Sequence, residues 1–186
     1  MRLIALLSAI TLLAYPFAVY YGLNNYGIGS VAIVLVVLFT LRIFVGNSVP
    51  LKELKYIAWL SGISGVVLTL LGMIFKDEGW FTFYPVMVNL FMLIVFVTSL
   101  FQKQSIIERL ARLQDPNLPD TAILYTRKVT VVWSVFFVIN GLTSLTTCFL
   151  TMEIWTLYNG LISYLLMGTL FSIEFIIRKR VQTSGA

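Results

Sequence analysis

Six stretches of the chain stay apolar for about the 20 residues that a membrane-spanning helix needs: Leu3–Leu23, Ile28–Gly46, Leu54–Phe75, Phe81–Phe101, Arg127–Leu150 and Trp155–Ile177. The polar segments between them are short, except for Gln102–Thr126. Within that segment the period changes. In "SIIERLARLQ", Ile106, Ile107, Leu110 and Leu113 fall on one helical face, and Glu108, Arg109 and Arg112 on the other. The spacing predicts an amphipathic helix over about 104–114, lying in the membrane interface with its cations toward anionic lipid or offering a docking surface to a soluble partner. "DPNLPD" ends it, because Pro116 and Pro119 disfavour helix for the residues before them, and Asp120 suits the N-cap of the next helix. The first apolar run is too long for a signal peptide and lacks an A-x-A-like cleavage site, so it reads as a retained span. The pattern as a whole predicts an all-α fold. It is a polytopic membrane helix bundle with six transmembrane helices and one short cytoplasmic amphipathic helix, residues 1–186 forming a single integral membrane domain.

Composition strengthens this picture. Charged residues are 11% of the 186 residues and apolar types 59%, with a mean hydropathy of +0.94. A soluble domain carries about a quarter charged residues. There is no histidine and one cysteine, Cys148. An internal disulfide is therefore excluded, and the usual zinc and haem ligand sets are missing, so no metal and no cofactor is expected.

The net charge of +5 is distributed along the chain rather than clustered for nucleic acid. With a cytoplasmic N-terminus, twelve of the 13 cations fall in inside segments, and only Lys76 falls outside. This is the positive-inside asymmetry, and it places both termini in the cytoplasm. Arg109, Arg112, Arg127 and Lys128 become candidate contacts for anionic lipid or an acidic partner, or plain topology anchors whose long stems reach the headgroups. Trp80, Tyr84 and Trp155 are expected at the outer interface as an aromatic belt.

Polar groups inside the spans are the places to look for function, since hydrocarbon offers them no partner. Asn89 and Asn140 lie about 12–15 Å deep at 1.5 Å rise per residue, and are expected to hydrogen-bond each other or to meet a ligand headgroup. Arg42 and Glu174 lie near the inner ends of spans two and six, at similar depth and with opposite charge, and are expected to pair. Glu174 also has Arg178 at i+4. Small residues at Ser61, Gly65, Thr69 and Gly72, and a polar stripe at Asn140, Ser144 and Thr147, mark close helix contacts. Pro16 predicts a kink in the first span, with Ser8 and Thr11 nearby to satisfy freed backbone groups. No GxSxG, HExxH, P-loop or acidic catalytic pair occurs, so no catalytic residue is assigned and no enzyme activity is expected.

Residues 76–180 carry a resemblance. Asp77-Glu78 follows span three. Ile107, Arg109 and Leu110 form an I-x-R-L helix, Trp133, Phe136 and Phe137 a W-x-x-F-F motif, and a late tryptophan is followed by Asn159. Together these features resemble the small inner-membrane proteins found with aryl-polyene pigment and related fatty-acid-like biosynthesis genes. More distantly they are similar to the intracellular septation protein A family, whose members often have further basic residues where this chain has Trp80–Tyr84. The resemblance implies a bacterial inner-membrane accessory protein of envelope or aryl-polyene lipid assembly, acting through partner or acyl-lipid binding. It implies membrane lipids and envelope-biosynthesis proteins as partners, leaves homo-oligomerisation open and brings no catalytic residue. Asn159 joins Asn89, Asn140, Arg42 and Glu174 as a candidate ligand position. The rival expectations are a small oligomeric transporter or flippase, then a membrane-embedded acyltransferase.

Overall fold

The computed structural model describes residues 2–46 and 51–184, with side chains over 15–44 and 51–179. Among these residues all regular structure is helical. The helices are α1 (Arg2–Gly46), α2 (Lys52–Phe75), α3 (Gly79–Thr82), α4 (Tyr84–Leu100), α5 (Ile106–Arg112), α6 (Asp120–Thr147), α7 (Met152–Leu157) and α8 (Ser163–Ser184), with a π-helical turn at Tyr158–Ile162 joining the last two. Five helical segments are long and apolar enough to cross a membrane.

The first of them folds back on itself. Gly27 is the one non-helical setting inside α1, at φ 74 and ψ 171, a region open essentially to glycine alone. The rings of Tyr15 and Phe39 stand 5.6 Å apart, where a straight helix would separate these positions by about 36 Å. A Cβ on Gly22 would lie 2.6 Å from Val31 Cγ2. The first two predicted spans are therefore antiparallel limbs of a helical hairpin. Pro16 is fully buried inside the first limb, and the chain turns at Gly27 rather than there. Ser8 and Thr11 lie outside the described side chains.

The hairpin packs on α2 through the predicted small-residue stripe, since Ser61, Gly65, Thr69 and Gly72 are all buried. A Cβ on Gly65 would sit 2.5 Å from the Phe39 ring, and Phe81 covers Gly72 in the same way. Without an aqueous drive between helices, such close backbone approach is what holds them together. Beyond α2 the order across the bundle is α4, then α6, with α5 lying against both. α6 begins at Asp120, two turns before the predicted span, and its N-cap is Pro119 rather than Asp120, which occupies the first turn.

Two apolar clusters close the ends of the bundle. One joins Tyr15, Phe39, Phe81, Tyr84 and Trp155. The other joins Phe96, Ile106 and Phe137, with Trp133 and Phe136 beside them. The first corrects the aromatic-belt expectation. Trp155 is 0% exposed and Tyr84 2% exposed, because the chain from Gly79 to Tyr84 tucks inward. Tyr15 Oη donates to the Phe81 carbonyl at 2.6 Å, and Trp155 Nε1 donates to the Thr82 carbonyl at 2.9 Å. Only Trp80 remains near the surface, stacked on Phe75.

α5 is shorter than predicted and differently oriented. Ser105 caps it, accepting from the Glu108 amide at 3.3 Å, and Ile106 N donates to Ser99 Oγ at 3.0 Å. Glu108, expected on the polar face, is 4% exposed, and Leu113 is exposed. The Arg112–Glu108 ion pair at 2.9 Å holds the buried carboxylate.

Candidate functional site

The asparagines converge where α4, α6 and the π turn meet. Asn140 Nδ2 donates to Asn89 Oδ1 at 2.9 Å, the bond expected from depth and residue type. Gly141 makes the approach possible, since a Cβ there would come within 3.2 Å of Asn89 Cβ. Tyr158 Oη donates to Asn140 Oδ1 at 2.9 Å, and Asn89 Nδ2 donates to the Pro85 carbonyl at 2.9 Å. Asn159 forms a second knot with the α6 stripe. Ser144 Oγ donates to its Oδ1 at 2.8 Å, while its Nδ2 donates to Thr147 Oγ1 and the Trp155 carbonyl, each at 3.0 Å.

The π turn explains how neighbours in sequence both reach α6. In an α-helix successive side chains diverge by about 100°. The wider π turn presents Tyr158 and Asn159 to the same helix. Single π turns of this kind recur at functional sites. Tyr158 is a residue that sequence reasoning missed. The only signal for it was its place beside Asn159.

Arg42 and Glu174 do not pair. Arg42 is 9% exposed, and its Nε donates to Ser61 Oγ at 2.8 Å. Helical side chains lean toward the N-terminus of their helix, and this carries the Arg42 guanidinium into the bundle, away from the nearby end of α1. Glu174 is held instead by Tyr125, whose hydroxyl donates to its carbonyl at 3.1 Å and lies 3.5 Å from Oε1. Arg178 Nε stands 3.9 Å from the same carboxylate oxygen. Similar depth along two helices did not make them neighbours across the bundle.

The four candidate surface cations divide by role. Arg109 is paired with Glu53 at the start of α2, and Arg112 with Glu108. Arg127 Nη2 donates to the Leu100 carbonyl at 2.7 Å, closing the C-terminus of α4. Arg127 and Lys128 are both exposed.

Two adjoining cavities run beside this framework. The larger, about 340 Å³, lies between α4, α6 and α8 over α5. Met92, Phe96, Trp133, Phe137 and Phe171 wall it, and Gln114, Glu174 and Arg178 stand at one end. It exists because α8 leans on the bundle mainly through the π turn. Only 11% of the apolar window in Met152–Lys179 is buried. The second cavity, about 240 Å³, shares Met92, Phe137 and Met167 with the first and reaches Arg42, Tyr84 and the three asparagines. The expected ligand positions are thus split. Arg42, Asn89, Asn140 and Asn159 border one cavity, and Glu174 borders the other. Among the described residues no group of three or more His, Cys, Asp or Glu side chains could hold a metal ion.

Comparison with protein-family models, with curated proteins and with solved structures yields no significant match for this chain.

Proposed function

We propose that this chain crosses the bacterial inner membrane six times and serves cell-envelope or aryl-polyene lipid assembly by holding an acyl chain. The observation that carries this reading is the apolar cleft between α4, α6 and α8, with Glu174 and Arg178 at its mouth. An apolar wall with a few polar groups at one end suits an amphiphile. Together the two cavities fall within the roughly 300–1,000 Å³ of ordinary ligand sites. The hairpin of α1 supplies two passes, and α2, α4, α6 and the α7–α8 segment one each. The cation asymmetry supports cytoplasmic termini and a cytoplasmic α5. The likeness of residues 76–180 to inner-membrane proteins of polyene biosynthesis supports the setting.

Native mass spectrometry of protein extracted from its own membrane in mild detergent tests this. A retained acyl lipid at about one per chain is expected. Met167→Trp, which fills the junction of the cavities, should expel it. Lipid bound only as a variable annular population, unchanged by Met167→Trp, would overturn the reading.

A further inference from the structure

A shallow groove of about 170 Å³ lies on the far side of the contact between α6 and α8. Tyr125, Val129, Trp133 and Glu174 border both this groove and the acyl cleft. On α6 the cleft alone takes Thr126 and Phe137, and the groove alone takes Lys128 and Val132. At about 100° per residue the shared positions fall between these two sets. α8 divides in the same way, with Met167 and Phe171 on the cleft side, Ile173 and Ile177 on the groove side and Glu174 between them. The two helices run antiparallel, since Tyr125 meets Glu174 near one end and Ser144 meets Asn159 near the other. Cleft and groove are therefore apolar spaces on opposite faces of one helix pair, and both reach the Tyr125–Glu174 contact.

That end is basic. Lys128 borders the groove and Arg178 the cleft. Lys128 is exposed and makes no ion pair with any described residue. Arg178 Nε stands 3.9 Å from Glu174 Oε1, too long for a hydrogen bond, which leaves guanidinium donors for a ligand. An arginine fork and a lysine ammonium are ordinary partners of a phosphate.

We propose that the α6–α8 pair binds a two-chain phospholipid astride its contact, with one acyl chain in the cleft, the other in the groove and the phosphate between Lys128 and Arg178. This rests on the acyl-chain reading above and adds the class of lipid to it. Lys128, Arg178 and Glu174 together carry one positive charge, which a phosphodiester neutralises. The long stems of both cations lie along apolar surface and present their charges at headgroup level. A single-chain lipid fills only one of the two spaces, and a diacylglycerol fills both but lacks the phosphate.

Trp133 borders both spaces, so it reports a chain in either. The test titrates the purified protein in maltoside micelles with phosphatidylglycerol brominated on both chains. It is repeated with the one-chain lyso form and with the diacylglycerol carrying the same brominated chains. The readout is the saturable quenching that disappears in Trp133→Phe. Phosphatidylglycerol should bind about tenfold or more tighter than the diacylglycerol, the expected effect of hydrogen bonds to a charged group. It should also bind about tenfold or more tighter than the lyso form, because the second chain buries apolar surface. Lys128→Gln removes an exposed charge and should leave the fold intact. It should weaken phosphatidylglycerol by roughly fivefold and leave the diacylglycerol unchanged. Val132 and Ile173 are exposed on the two walls of the groove. Val132→Phe with Ile173→Phe should fill it, bringing phosphatidylglycerol down to the affinity of the lyso form and leaving the lyso form unchanged. Equal binding of the two-chain and one-chain lipids to the native protein would overturn the site astride the helices and leave the acyl cleft standing. A Lys128→Gln variant with the full native preference over diacylglycerol would also overturn it. Failure of all three lipids to quench Trp133 saturably would remove both proposals.

Discussion

Asn140 is bonded on two sides, by Asn89 on α4 and Tyr158 in the π turn, so a single substitution there touches three elements. Hydrogen bonds between helices in lipid contribute about 0.6–2 kcal/mol each. Asn140→Leu should destabilise by about 1–2 kcal/mol, since both bonds are lost. Asn89→Leu should cost less, because Tyr158 still reaches Asn140. The double variant should fall short of additivity by more than the usual error of about 0.3–0.5 kcal/mol. Denaturation of the four proteins in one detergent measures the cycle, and strict additivity would mean that the two amides do not interact. Asn159 belongs to a separate knot with Ser144 and Thr147. Two adjacent polar positions on one helix thus tie α6 at two different levels.

The helical elements owe their shapes to a few backbone positions. Gly27 turns α1 through a conformation that side chains rarely adopt, yet a Cβ there would meet nothing within 4 Å. Gly29 is equally open but keeps ordinary helical geometry. The pair separates strain from crowding. Gly27→Ala should destabilise by about 1–3 kcal/mol, the usual cost of forcing a residue into that region. Gly29→Ala should be neutral or stabilise by up to about 1 kcal/mol, because alanine favours helix over glycine. Thermal unfolding in detergent distinguishes them, and equal effects would count against the hairpin turn. Gly65 works differently, by admitting the Phe39 ring against α2. The π turn also has an identifiable consequence. It fixes the top of α8 against the bundle and lets the remainder stand away, which opens the larger cavity.

Across the whole molecule, charge and packing are organised along the bundle axis. The start of α2, α5, the start of α6 and the end of α8 carry most of the described cations, with Lys76 at the other end of α2, and the ion pairs with Glu53, Glu108 and Glu174 gather with that majority at one end. The opposite end is closed by the Tyr15–Phe39–Tyr84–Trp155 cluster, where the backbone carbonyls of Phe81 and Thr82 are hydrogen-bonded by Tyr15 and Trp155. The proposed topology sets these ends on opposite sides of a bilayer. Single cysteines at positions 78 and 115, placed in a Cys148→Ser background, test it in intact cells. A membrane-impermeant maleimide should label position 78 and spare 115 until the cells are opened. Labelling of 115 alone would invert the orientation, and labelling of both would break the span count.

The amino-acid sequence by itself determined quantities that lie along a helix. The apolar runs, the asymmetry of the cations, the small-residue stripe of α2 and the depth of Asn89 and Asn140 were all readable from spacing. The asparagine bond followed because two amides at one depth in hydrocarbon have few other partners. Tertiary structure alone decided what lies across from what. In a soluble helix the polar face marks water and leaves the apolar face for the core. In lipid both surroundings are apolar, so hydrophobicity does not report which way a helix is turned. Hence depth and charge suggested a pair between Arg42 and Glu174, while rotation and neighbour choice gave Arg42 to Ser61 and Glu174 to Tyr125 and Arg178. Hence also Tyr84 and Trp155 were expected at the interface and lie in the core. Gly27, Gly65 and the π turn set how close the helices come and where α8 leaves them. The two cavities are the spaces between surfaces so arranged, and no periodicity in a single chain encodes a space between helices.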